Sequence, residues 1–159
     1  EFNPAFGGIN PEPIGNNLNE ASNTLKEKGL KLAICLDGDG DRIGALDEDG
    51  LFVSSHHIFA IVLEDLIKSG IDDGKVIKTV STSSIIERIC DKNSISSITT
   101  PVGFKYIADY ILKGDVIMGG EESGGLWFRP NIPERDGILM GLKLLEIASK
   151  EKMGLKGLL

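Results

Sequence analysis

Val76-Ile77-Lys78-Thr79-Val80-Ser81-Thr82-Ser83-Ser84 is the stretch that decides the fold class. Its first five residues are rich in β-branched side chains and read as a strand. The hydroxyl residues behind them read as the N-terminal cap of a helix reaching about Asp91. A strand passing straight into a helix is the repeating unit of a parallel sheet. The same pattern extends outward on both sides. Upstream, Ser54-Ser55 offers a cap to a helix from about His56 to Ser69, with Ile58, Phe59, Ile61, Val62, Leu63, Leu66 and Ile67 as its apolar residues. Downstream, Ile95 to Thr100 reads as a strand closed by Pro101, and Val102 to Leu112 as a helix ended by Gly114. Val116-Ile117-Met118 is a strand entering the glycine-rich loop 119–125, and Leu126-Trp127-Phe128 reads as another. Asp136 caps a long helix to about Lys152. The predicted class is α/β, with layered α/β/α units around a mixed, mostly parallel sheet.

The first third of the chain reads differently. Residues 1–15 are irregular, with prolines at Pro4, Pro11 and Pro13. Leu18, Ala21 and Leu25 recur at helical spacing between Asn16 and Lys28, and Gly29 is a stop. Leu32 to Leu36 is an apolar run that reads as a buried strand. Ile43 to Leu46 is a second strand, Asp49-Gly50 a hairpin turn, and Leu51 to Val53 a third strand. The hairpin closes one unit and the βα alternation opens another, so a boundary is expected near 53–56, dividing the chain into residues 1–54 and 55–159.

Chemistry concentrates in two places. Asp37-Gly38-Asp39-Gly40-Asp41-Arg42 sets three carboxylates at alternate positions with only glycine between them. Such a group repels itself unless a cation sits among its oxygens, and oxygen-only ligands suit Mg²⁺, Ca²⁺ or Mn²⁺ rather than zinc. The bland reading is a solvated acidic turn. An EF-hand places Asp37, Asp39, Asp41 and Glu48 at its first, third, fifth and twelfth positions. It fails because Arg42 stands where the sharp turn needs glycine and because the flanks read as strands, not helices. Glu48 is then expected to lie far from the metal. Arg42 could simply neutralise the carboxylates, or it could face a phosphate that bridges to the cation; the second reading favours a phosphoryl-handling Mg²⁺ site over a calcium buffer.

Gly119-Gly120-Glu121-Glu122-Ser123-Gly124-Gly125 follows a strand, at the end of the sheet where α/β folds bind ligands. Its glycines are expected to let polar groups approach a ligand closely, and Glu121 and Ser123 offer the acceptors and donor that sugar hydroxyls need. A flexible connection is the bland alternative. The serine-hydrolase elbow fails, because Glu121 stands where glycine is required. No Gly-Lys-Ser/Thr follows, so a P-loop fails too. Lys105 falls in the first turn of a predicted helix, where a cation gains nothing from the helix dipole, so it is a candidate for a ligand anion or a proton transfer, with a solvated surface lysine as the bland alternative. Adjacent His56 and His57 diverge on a helix and make a poor metal pair. Trp127 and Phe128 read as core.

A net charge of −7 argues against nucleic-acid or anionic-membrane partners. No apolar run is long enough to span a membrane. Cys35 and Cys90 have apolar neighbours and no CxxC partner, which suits buried free thiols in a reducing cytoplasm, with a disulfide as the lesser alternative. The chain opens on a Gly/Pro/Asn-rich stretch without an initiator Met and looks cut from something longer.

The succession of DGDGDR at 37–42, TPVGFKYI at 100–107 and GEESGG at 120–125 resembles the α-D-phosphohexomutases, most closely their phosphoglucomutase/phosphomannomutase branch. Asn10-Pro11-Glu12-Pro13 resembles a segment just upstream in the same family. The resemblance implies a fragment of a four-domain enzyme: residues 1–54 as the end of the metal-binding second domain and 55–159 as the sugar-binding third. It implies Mg²⁺ on Asp37, Asp39 and Asp41, with a further ligand from a phosphoserine outside this chain. Arg42 would lie near the transferring phosphoryl group, Glu121 and Ser123 would bind sugar hydroxyls, and Lys105 would be a phosphate contact or proton-transfer group. The implied reaction interconverts hexose 1-phosphate and hexose 6-phosphate, of glucose or mannose, through a bisphosphorylated sugar. The expected partners are the hexose phosphate and the remaining domains, and the fragment alone is expected to be inactive. The competing class is a non-catalytic cation-binding module.

Overall fold

The computed structural model describes residues 3–159. After two single 3₁₀ turns, α1 runs over Asn19–Glu27. Three strands follow, β1 (Ala33–Leu36), β2 (Ile43–Leu46) and β3 (Phe52–Val53), antiparallel in the order β1-β2-β3. The hairpin at Asp49-Gly50 forms as expected, with the Gly50 N–H donating to Asp47 O at 2.9 Å.

Helix α2 (Ser55–Lys68) leads into alternating elements: β4 (Lys75–Thr79), α3 (Ile85–Lys92), β5 (Ser96–Thr100), α4 (Phe104–Lys113), β6 (Val116–Gly120), β7 (Leu126–Phe128) and α5 (Gly137–Glu151). The four strands form one sheet in the order β5-β4-β6-β7. Its first three strands are parallel and β7 is antiparallel to β6. This is the mostly parallel α/β layer that the sequence predicts.

Helix α2 is apolar over most of its circumference, and only a stripe of His57, Glu64 and Lys68 faces solvent. Ile58, Phe59, Val62 and Leu63 are fully buried, and the helix touches β2, β6, α3 and α5. One continuous core therefore runs from Ile43, Ala45 and Val53 through α2 to Val76, Ile117 and Met118 and on to Met140 and Leu144 of α5. Burying each such side chain contributes roughly 1.5–3 kcal/mol. The opposite face of the larger sheet is covered by α4, whose Phe104 and Ile107 pack on Ile77, Val116 and Trp127. The sheet thus lies between two helical layers.

Four details differ from expectation. Strand β1 is only half-buried and Leu36 is 39% exposed, because β1 pairs with β2 alone among the described residues. Gly119 and Gly120 belong to β6 rather than to a loop, since they pair with Ile77 and Lys78 on one side and Trp127 and Leu126 on the other. A short helix, α6 (Leu155–Leu158), follows a left-handed Lys152, where the sequence pattern gives no helix signal. Cys90 is buried but Cys35 only partly so; both are free.

Candidate functional site

The acidic loop connects β1 to β2, and its ends are tied by Asp37 N–H donating to Arg42 O at 3.3 Å. Gly40, at φ +78°, turns the chain back on itself. One carboxylate oxygen each from Asp37, Asp39 and Asp41 lies within 4.8 Å of the others. All donors are carboxylate oxygen, so the group fits a hard divalent cation and not a soft one. Arg42 folds back onto this loop: its Nε donates to Asp37 Oδ2 at 2.6 Å and its backbone N–H to Oδ1 at 3.1 Å. Burial opposes the charge on Asp37, but these bonds and the guanidinium outweigh it and hold the carboxyl below the usual value. Asp41 goes the other way. Burial raises it, as do the charges of Asp37 and Asp39, and Arg135 only partly compensates. Glu48 takes no part in the group; its carboxylate accepts from Lys156 N–H.

The second loop is a tight turn between β6 and β7. Glu121 N–H donates to Gly125 O at 3.0 Å, and Gly124 N–H to Glu121 O at 3.3 Å. Glu121 is 5% exposed and points inward. Its Oε1 accepts from Gly103 N–H, at the start of α4, at 3.0 Å. Burial raises the Glu121 carboxyl above its ordinary value, against the opposing pull of Arg135 and the Gly103 N–H. Glu122 is held from the other side. Ser55 Oγ donates to its carbonyl, and Thr79 Oγ1 donates to its carboxylate at 2.8 Å. Ser123 is exposed at the tip.

The two loops meet backbone to backbone. Ile43 N–H donates to Gly124 O at 3.0 Å, Arg42 and Gly125 form an antiparallel bridge, and Gly137 N–H donates to Gly40 O at 3.1 Å. Asp136 caps α5 as expected, accepting from Leu139 N–H at 2.8 Å. Beside it stands Arg135, which in the sequence reads only as a residue ahead of a helix. Its Nε donates to Asp41 Oδ2 at 2.5 Å, and its Nη1 reaches Glu121 Oε2 at 3.3 Å. One guanidinium therefore joins the acidic loop to the turn.

Of the residues singled out in the sequence, Asp37, Asp39, Asp41, Arg42 and Glu121 converge here. Ser123 stands on the rim of the turn. Lys105 is exposed one residue into α4, with Nζ 4.9 Å from the Tyr106 ring centre, and forms no ion pair among the described residues. Sequence reasoning also misses a buried cation: Lys78, 3% exposed near the carboxyl end of β4. Its Nζ donates to Thr82 O at 3.1 Å and lies 3.3 Å from Glu87 Oε1. A lysine directly after Val76-Ile77, within a run rich in β-branched residues, was the available signal. His56 and His57 do diverge: His56 Nδ1 accepts from Ser83 N–H, while His57 Nδ1 meets Ser54 Oγ. A cavity of about 350 Å³ borders the acidic loop, between Glu12, Leu36, Asp37 and Gly38. The larger one, about 550 Å³, is lined by Leu30, Leu145 and Met153 and by no residue of either loop. No helix among the described residues is long and apolar enough to cross a membrane.

An oxygen-only acidic cluster on the β1–β2 loop of the smaller sheet, joined to a buried glutamate turn at the carboxyl end of β6 in the larger one, defines a class of cation-assisted, polar-ligand sites. Comparison with known proteins narrows this. Residues 54–159 match the family model described as phosphoglucomutase/phosphomannomutase, alpha/beta/alpha domain III, and residues 1–50 match its domain II. The chain belongs to the phosphoglucomutase/phosphomannomutase family. It is 32% identical over 145 residues to a phosphoglucomutase/phosphomannomutase of Thermococcus kodakarensis, covering 91% of this chain and 32% of that protein. It is 34% identical over 147 residues to a phosphoglucosamine mutase of Geobacter metallireducens, covering 92% of this chain and 31% of that one. Among solved structures, a Thermus thermophilus protein assigned as a phosphomannomutase superposes with a TM-score of 0.93 at 36% identity, covering 98% of this chain and 36% of that one. The chain spans about a third of the length of the curated relatives it matches.

Proposed function

We propose that this chain forms part of a phosphohexomutase that interconverts hexose 1-phosphate and hexose 6-phosphate through a phosphoserine and a bisphosphorylated sugar. In this reading residues 1–54 are the end of the metal-binding second domain, and residues 55–159 are the sugar-binding third domain. The single observation that carries it is the joining of the acidic cluster to the glutamate turn by backbone bonds and one arginine. A phosphoryl group held at the cluster and a sugar ring held at the turn then face one another at fixed separation, which is what an in-line transfer needs.

Asp37, Asp39 and Asp41 would hold Mg²⁺, which when bound neutralises charge on the transferring phosphoryl group. Arg42 keeps Asp37 ionised and stands beside the phosphoryl position. Buried Glu121 accepts from a sugar hydroxyl with the lone pairs that Gly103 N–H and Arg135 leave free. Ser123, exposed at the tip, adds a donor. Lys105, free on the surface of α4, is the group available to a substrate phosphate or a transferred proton. So few contacts suit a site that must accept the sugar in two orientations. The phosphoserine and a phosphate-binding domain would come from the rest of the parent enzyme, in the cytoplasm, so this chain alone does not turn over.

The test is a coupled assay of the longer parent with Mg²⁺ and a trace of hexose bisphosphate primer, offering glucose, mannose and glucosamine 1-phosphates in turn. Formation of a 6-phosphate supports the reading, and the preferred sugar ranks the three substrates. A folded, primed parent inactive on all three would return the chain to the class of cation-binding modules.

A further inference from the structure

We infer that Arg135 is a positioning residue that presents Asp41 to the cation and makes cation binding felt at the Glu121 turn. The inference rests on the proposed cation site and concerns a residue outside the acidic motif. Arg135 Nε occupies Asp41 Oδ2. The remaining oxygen, Oδ1, lies 3.9 Å from Arg42 Nε, beyond hydrogen-bonding distance, and is open to a cation. Asp37 is oriented in a parallel way, by Arg42 Nε on its Oδ2. Asp37 also accepts from the Arg42 backbone N–H on Oδ1, so two of the three carboxylates are each oriented by an arginine, while Asp39 is exposed. Ligating carboxylates that are themselves hydrogen-bonded lose little orientational freedom when they bind a metal, and removing such an outer partner typically costs about 10–100-fold in affinity.

The same guanidinium reaches Glu121 through Nη1 and lies 5.9 Å from the centre of the Phe104 ring in the first turn of α4. Its backbone continues the segment whose Ile132 and Asn131 carbonyls accept from the indole Nε1 of Trp127. Trp127 is the one tryptophan of the chain. Any shift of Arg135 as a cation settles on Asp41 therefore passes to Glu121 directly and to Trp127 through this segment, giving an intrinsic optical reporter. A purely structural ion pair would leave both cation affinity and that reporter unmoved.

The experiment titrates the 159-residue chain with Mg²⁺, followed by calorimetry and by Trp127 emission, in wild type, R135M and R135K. Wild type is expected to bind one ion with a change in emission. R135M is expected to bind about 10–100-fold more weakly and to lose the emission change, with R135K recovering part of both. Equal or tighter binding by a folded R135M overturns the inference, since Arg135 would then be neutral or a competitor for Asp41. Failure of the wild type itself to bind removes the cation reading beneath it, a distinguishable result. Should R135M not fold, the wild-type Arg135 Nε–H signal decides. Protection from exchange that persists on adding Mg²⁺ supports the inference, and loss of protection overturns it.

Discussion

Replacing Gly124 by alanine should pull the two loops apart. Gly124 sits at φ +101°, and a Cβ there would fall within 2.5 Å of Ile43 O and 3.0 Å of Ile43 N. These are backbone atoms of a strand whose Ile43 side chain is fully buried, so they have little room to give. The backbone conformation itself costs an alanine about 1–3 kcal/mol. If the turn lifts to clear the clash, the Ile43 N–H loses Gly124 O, and a buried donor without a partner costs about 1–3 kcal/mol more. The sum, about 2–6 kcal/mol, corresponds to a melting temperature lowered by roughly 5–20 °C in a chain of this size. Gly29→Ala is the control. Gly29 also has positive φ, +60°, but a Cβ there meets nothing within 4 Å, so only about 1 kcal/mol is expected. The assay is thermal unfolding by circular dichroism, paired with Mg²⁺ titration. G124A melting within about 2 °C of wild type, with full cation affinity, would refute the reasoning that the loops share one backbone framework.

Three further outcomes follow from individual residues. Asp39 is exposed and carries no protein partner among the described contacts, so D39A should change folding stability by less than about 0.5 kcal/mol in urea while abolishing Mg²⁺ binding. Asp65 is buried against Lys143 at 2.9 Å and Lys150 at 3.0 Å, and D65N should cost about 3 kcal/mol at neutral pH. Burial opposes the Asp65 charge, but the two lysines prevail and hold its carboxyl below the usual 3.8. Its contribution is therefore complete above that value and fades as pH falls through the depressed one, so urea curves of wild type and D65N should converge in acid. Burial pushes the Cys90 thiol up to about 11, and alkylation followed by mass spectrometry should modify Cys35 first and Cys90 only on unfolding.

The βα alternation was legible because each signal was local. The β-branched run at Val76–Val80, the hydroxyl residues behind it and Asp136 ahead of α5 each act within one turn of chain. The approach of Asp37, Asp39 and Asp41 was legible for the same reason, since alternation with glycine brings their side chains together over five residues. What escaped depends on contacts between distant segments. Arg135 meets Asp41 across 94 positions, and no local pattern distinguishes it from an ordinary residue ahead of a helix cap. Gly119 and Gly120 read as loop glycines. Strands pair on both sides of them, and the space a Cβ would need is filled by Ile107 at 2.5 Å for Gly119 and by Leu126 at 2.4 Å for Gly120. The exposure of Leu36 likewise reflects the edge position of β1, which an apolar run cannot reveal.

The most direct test of the account is anomalous diffraction from crystals of the chain soaked in Mn²⁺, an oxygen-seeking stand-in for Mg²⁺. The account predicts one strong peak, within about 2.0–2.3 Å of carboxylate oxygens from Asp37, Asp39 and Asp41, with Arg135 still joining Asp41 to Glu121. A strong peak elsewhere with the acidic loop empty, or no peak at all from an intact crystal at saturating Mn²⁺, would contradict it.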